Sequence, residues 1–339
     1  MPAQLPGGGP SPRLSAWIVA ALVAMVAVPA TITLRTVSFP GKLRILSSNP
    51  TPHGYSWSLL LFVVPIVAIA FWFLPSERVE IPKRAFWWTI GILAPLGFGL
   101  DFFFAHYFFL FPNPGATLGI SAPALGTPVP VEEYIFYLAG FIAVLLIYVW
   151  LDEFWLAAYN VPDYPGEARK ISRLFQFHPM SAVVGLVFIG AALVYRRIFW
   201  SAGGGFPGYF TILVVCGFVP SMSFFPTARP FINWRAFSLT LFFILLMSLL
   251  SEATLGVPYG WWGYQKEQMV GVFIGAWADL PVEAVCVWIA VTYGTVIVFE
   301  IFKLWHASGK TAKHAFLGTP EVSTRPALSE RRDHTKVSS

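Results

Sequence analysis

Eight apolar runs, most near the ~20 residues needed to cross the hydrocarbon core of a bilayer, constrain this chain more than any other feature. They lie at about 14–34, 55–74, 85–110, 129–151, 179–195, 206–225, 236–255 and 271–302. Water is absent at that depth, so each run must satisfy its own backbone N–H and C=O groups, as a helix does. The reading is an all-α polytopic membrane bundle of about eight transmembrane helices. Charged residues make up only 12% of the chain, against about 25% in soluble domains. The net charge of +5 sits mostly in loops and tail. It therefore reads as topology and anionic-lipid contact, with no nucleic-acid partner. Cys216 and Cys286 fall inside apolar runs and read as small hydrophobes.

Sliding the chain along itself by 151 residues exposes a second constraint. Phe73-Leu74-Pro75, Arg78, Ile81, Arg84-Ala85-Phe86 and Thr89 meet Phe224-Phe225-Pro226, Arg229, Ile232, Arg235-Ala236-Phe237 and Thr240. Asp101 falls on Glu252, Pro130 on Pro281 and Glu132 on Glu283, with no gap between residues 73 and 132. So many matches at one offset predict a duplicated three-helix unit. The expected organisation is an N-terminal segment with a retained first helix (1–54), a first repeat (55–151), a linker with a connecting helix (152–205), a second repeat (206–302) and a disordered polar tail (303–339). The connecting helix gives both repeats the same orientation, as in parallel-repeat transporters.

Of the 22 Lys and Arg residues, 16 fall on the side holding both termini and 6 on the other. The positive-inside bias then puts both termini in the cytoplasm of a cell-membrane protein. The loops at 111–128 and 256–280 face outward.

Those loops lead into Pro130-Val131-Glu132-Glu133 and Pro281-Val282-Glu283-Ala284. Proline favours the first position of a helix, so the glutamates belong to first turns. Acidic residues there complement the helix dipole, worth roughly 0.3–1 kcal/mol, and that is the plain explanation. The loop 115–128 carries no charge, however, which points the motif inward, where desolvation favours the neutral acid. Asp101, Glu132, Glu133, Glu252 and Glu283 all lie in or beside apolar runs that hold no Lys or Arg. Buried charges are normally paired. Acids lacking a basic partner can share protons with each other and act as general acids. His106 is a weaker relay candidate, and Trp261, Trp262 and Tyr264 fit interfacial anchoring.

At these residues the chain resembles the small membrane-embedded carotenoid lycopene cyclases, built from two homologous units that occur separately or fused. The family hallmark is Pro-x-Glu, then Glu or Asp, then Phe shortly after. Pro130, Glu132, Glu133 and Phe136 match it, and Pro281 and Glu283 match in part, with Ala284 and Val287 departing. The resemblance covers roughly 55–302. It implies cofactor-free isomerisation of a lipophilic carotenoid, membrane lipid as surroundings and other carotenoid-pathway enzymes as candidate partners. An acid protonates the terminal double bond, the neighbouring double bond closes a six-membered ring, and a base removes a proton to leave a β-ionone end. It implies Glu132 or Glu133 as the acid and Glu283 as its partner, with Asp101 and Glu252 tuning them. Two readings compete: a proton-coupled membrane carrier, which parallel repeats with intramembrane carboxylates also suit, and a scaffold whose glutamates merely cap helices.

Overall fold

The computed structural model describes residues 24, 28, 52–75, 81–122, 124–126, 128–200 and 205–318. The expected span at 14–34 and the tail beyond 318 lie outside the described residues, positions 24 and 28 excepted. The chain is largely helical, and six helices are long and apolar enough to cross a membrane. They are α1 (Gly54–Phe73), α2 (Lys83–Phe108), α3 (Val131–Trp150), α5 (Pro179–Phe199), α8 (Trp234–Ser251) and α9 (Val282–Ser308). Between them lie α4 (Tyr164–Lys170), the 16-residue apolar α6 (Gly208–Ser223) and the single turn α7 (Phe225–Ala228), and α10 (Ala312–Leu317) follows α9.

Burial ranks these helices. Of the most apolar stretch of each, 56% is buried in α9 and 44% in α3, but only 17% in α1 and α5. The first two form the axis of the bundle and the last two its rim, where Leu61, Phe71, Trp72 and Leu186 face outward. Outward apolar side chains are what a lipid solvent requires. Pro65, Pro95 and Pro220 interrupt α1, α2 and α6, a feature that packed membrane helices tolerate. Asn233 starts α8 by accepting the Ala236 N–H on its side chain, and Gly309, at φ 67°, ends α9 in the left-handed conformation.

Two-residue strands organise the ends of the helices. β2 (Ser121–Ala122) pairs with β3 (Val129–Pro130), and β5 (Phe273–Ile274) pairs with β6 (Leu280–Pro281). Each pair delivers the chain into a helix, β3 into α3 and β6 into α9. β1 (Phe109–Leu110) and β4 (Gly263–Tyr264) join the two loop systems to each other. One hydrogen bond recurs at the 151-residue offset. Thr89 donates to the Ala85 carbonyl and Thr240 to the Ala236 carbonyl, both at 2.8 Å. Tyr148 meets Phe299 edge to face, and Lys303 bonds Asp152 at 3.0 Å. Each of these last two contacts joins residues 151 apart.

The end of the bundle away from the strands holds a polar cluster. Lys303 lies 3.0, 2.9 and 3.6 Å from Asp152, Glu153 and Glu300. Tyr148 and Tyr164 each donate to Glu300. Residues 303–318, expected as part of a disordered tail, are placed against the bundle. Residues 303–308 continue α9, and Ala315 and Phe316 accept N–H groups of Leu174 and Phe175. Trp305 and Phe316 pack on Phe302, and that apolar contact holds the segment in place.

Candidate functional site

The two Pro-Val-Glu segments are built alike. Pro130 and Pro281 occupy the cap positions of α3 and α9, so Glu132 and Glu283 project from first turns. Glu132 Oε1 accepts the Leu118 N–H at 2.7 Å and the Ser56 hydroxyl at 2.5 Å. Glu283 Oε1 accepts the Val270 N–H at 2.5 Å. Each carboxyl therefore ties its helix to the loop 13 or 14 residues upstream. The second oxygen of each is buried without a hydrogen-bond partner.

Glu133, one residue on, points elsewhere. It accepts the Tyr55 hydroxyl at 2.8 Å and lines an internal chamber between the halves of the chain. Glu252 lines the same chamber from a π-turn (Glu252–Gly256) that ends α8. Such turns often mark functional positions, because the widened turn redirects a side chain. Glu252 Oε1 accepts the Trp288 indole N–H at 2.8 Å, and Oε2 accepts the Tyr264 hydroxyl at 2.5 Å. Burial, and then the Glu252 carboxyl beside it, push the Tyr264 hydroxyl well above its ordinary range, so it remains a donor. Asp101, on α2, is 4% exposed, has one oxygen without a partner, and lies within electrostatic reach of Glu133.

Aromatic rings supply most of the rest of the wall, with Val287 and Val291 completing it. Phe136, Tyr137, Tyr209, Trp262, Tyr264 and Trp288 face the chamber, and among the described residues no Lys, Arg or His does. Phe136 stands edge-on to Trp288 at 5.3 Å between centroids, and Tyr55 lies 4.9 Å from Trp262. Ring faces carry negative potential and stabilise cations. The cavity volume is about 30 Å³, room for a water or two. A bulkier guest enters only by displacing rings.

The five acids thus divide. Glu133 and Glu252 share the chamber, Asp101 lies within electrostatic reach of Glu133, and Glu132 and Glu283 hold loops. Arg196, buried at the end of α5, lies within electrostatic reach of Glu283. Its guanidinium donates to the carbonyls of Gly205, Lys266, Glu267 and Met269, anchoring the loop whose next residue, Val270, donates to Glu283. Trp261 and Trp262, expected as interfacial anchors, are only 5% and 8% exposed, because stacking on Tyr55 draws the loop inward. His106 packs on Tyr107 and does not line the chamber. Among the described residues, no group of three His, Cys, Asp or Glu side chains is placed to hold a metal ion.

No protein-family model, curated protein or solved structure matches the chain. Sequence reasoning missed Tyr55, Tyr209 and Trp288, which reach the acids across long separations; Tyr55 and Glu133 stand 78 residues apart. One local signal was present, since Trp288 falls on Tyr137 at the 151-residue offset and both line the chamber. Also missed was Glu300, whose Lys303 three residues later forms a same-face pair on a helix.

Proposed function

We propose that the chain is a carotenoid cyclase of the lycopene cyclase type, forming β-ionone rings by proton transfer from a buried carboxylic acid, with no net redox change. One observation carries this reading: carboxyls from both halves of the chain meet in a buried, aromatic-walled chamber that, among the described residues, no basic side chain lines. Removal from water favours the neutral acid, and the surrounding ring faces suit a carbocation. The guest is a lipophilic hydrocarbon delivered from the membrane, and ring displacement admits its end.

Two matched units, 55–151 and 206–302, belong to the same proposal. The paired loop clamps at Glu132 and Glu283, the paired threonine bonds at Thr89 and Thr240, and the two contacts between residues 151 apart all support a duplication. The apolar α6 and the segment at 14–34 would then bring the six long helices to eight spans. The Lys/Arg asymmetry supports cytoplasmic termini, with the chamber toward the outer side of the cell membrane.

A proton-coupled carrier needs a polar route through the bundle. Between the chamber and the Lys303 cluster, α3 and α9 bury Val144, Leu145, Val296 and Ile297 completely. The same stretch of α9 also buries the Thr292 and Thr295 hydroxyls, but among the described residues the layer holds no charge and favours the enzyme. The test is to reconstitute the purified chain in vesicles containing lycopene, with no flavin or nicotinamide added, and to resolve the pigments. Cyclised product is expected, and Glu133→Gln should reduce its rate by about 10²–10⁴-fold. Substrate that crosses the bilayer unchanged, or wild-type rates in Glu133→Gln, would overturn the proposal.

A further inference from the structure

We infer that the two chamber carboxyls divide the proton work, Glu133 releasing the proton that begins ring closure and Glu252 taking up the proton that ends it. The inference rests on the cyclase reading and goes further by assigning a direction to the transfer. Its basis is the set of donors around each acid.

Both oxygens of Glu252 accept hydrogen bonds, one from the Trp288 indole and one from the Tyr264 hydroxyl. An indole N–H only donates. It cannot turn round to accept a carboxylic-acid proton, so the Trp288 contact holds Glu252 Oε1 in its accepting state. Glu133 is built differently. Among the described residues its one donor is the Tyr55 hydroxyl, and a hydroxyl both donates and accepts. Rotation of that single O–H lets Glu133 carry a proton without losing its partner. Asp101 lies within its electrostatic reach and has a buried, unpartnered oxygen, and interacting carboxyls do not both ionise readily. The surroundings of Glu133 accommodate a proton, and those of Glu252 keep an acceptor.

The chemistry balances on these two groups. The electron pair of the terminal double bond takes the Glu133 proton, so a C–H bond forms and a tertiary cation results. The neighbouring double bond attacks that cation and a ring C–C bond closes. One C–H bond beside the new cation then breaks, its electrons form the ring double bond, and the proton passes to Glu252. No electron is gained or lost, and a proton returned from Glu252 to Glu133 resets the couple. Trp288 and Tyr264 are positioning residues that act through Glu252.

The test compares Glu133→Gln, Glu252→Gln, Trp288→Phe and Tyr264→Phe in lycopene-containing vesicles, scoring substrate consumed and product identity separately. Glu133→Gln should stop consumption. Glu252→Gln should still consume substrate, but the ring cation should discharge elsewhere, giving other double-bond isomers or a water-captured alcohol. Trp288→Phe and Tyr264→Phe should shift the product ratio in the same direction, whatever they do to the rate of consumption, which a purely structural role would not do. If Glu252→Gln yields only the wild-type ring isomer, or blocks consumption as fully as Glu133→Gln, the division of labour is wrong while the cyclase reading stands. If Glu252→Gln does not insert, the two positioning variants decide, and a wild-type product ratio in both overturns the inference. A wild-type chain that makes no ring at all removes the cyclase reading first and this assignment with it.

Discussion

Replacing Lys303 with Met tests the packing of the bundle independently of any chemistry. Among the described residues Lys303 is the single ammonium against three carboxylates, with N···O separations of 3.0, 2.9 and 3.6 Å. Asp152 and Glu300 are almost wholly buried, and the Lys303 side chain is 13% exposed. At an effective dielectric near 20, each of the two closer contacts is worth about 5 kcal/mol before desolvation is counted. Losing one partner of such a cluster costs about 3–5 kcal/mol net, because the remaining charges stay buried and uncompensated. The Lys170–Glu167 pair is the control. It is 71% and 45% exposed, so Lys170→Met should barely change stability. Denaturant unfolding in detergent, followed by tryptophan fluorescence, measures both. A compound variant, Lys303→Met with Asp152→Asn, Glu153→Gln and Glu300→Gln, should recover most of the loss, since replacing a whole buried ionic cluster is often close to neutral. Equal, small effects of Lys303→Met and Lys170→Met would refute the reasoning.

Three further outcomes follow from other parts of the molecule. A Cβ at Gly256 would collide with the Trp262 indole, so Gly256→Ala should cost about 1–3 kcal/mol by overpacking and disturb the chamber wall, whereas Gly91→Ala, with open space around it, should be neutral or stabilising by up to ~1 kcal/mol; thermal unfolding of the two variants separates them. Burial and the nearby Glu300 carboxylate push the Tyr164 hydroxyl well above its ordinary range, as burial and Glu252 do for Tyr264. Above about pH 10 unfolded tyrosines ionise while these two keep their protons, so stability should fall as pH rises; the fall should be shallower in Tyr164→Phe, read from unfolding midpoints against pH. Glu132→Gln should keep the Leu118 contact through its amide oxygen and lower stability by only about 1–3 kcal/mol, with ring formation retained; complete loss of activity in a folded Glu132→Gln protein would move the acid from Glu133 to its neighbour.

Most of the helices were legible because an apolar run of bilayer length has only one local way to satisfy its backbone. The 151-residue offset was legible because Pro130/Pro281, Asp101/Glu252 and the Arg-Ala-Phe segments keep a constant spacing. The five acids stood out because ionisable groups in apolar runs are costly. Their grouping was not legible. Glu132 and Glu133 are adjacent in the chain, yet about 100° apart around a helix, and that rotation sends one to a loop N–H and the other to the chamber. Glu252 and Trp288 stand 36 residues apart and meet only because α8 ends in a π-turn against α9. Trp261 and Trp262 looked like interfacial anchors because composition does not say which way a loop folds, and stacking on Tyr55 turned them inward. Periodicity and length are local properties that each helix carries alone, whereas the direction a side chain faces depends on which neighbour the bundle sets against it.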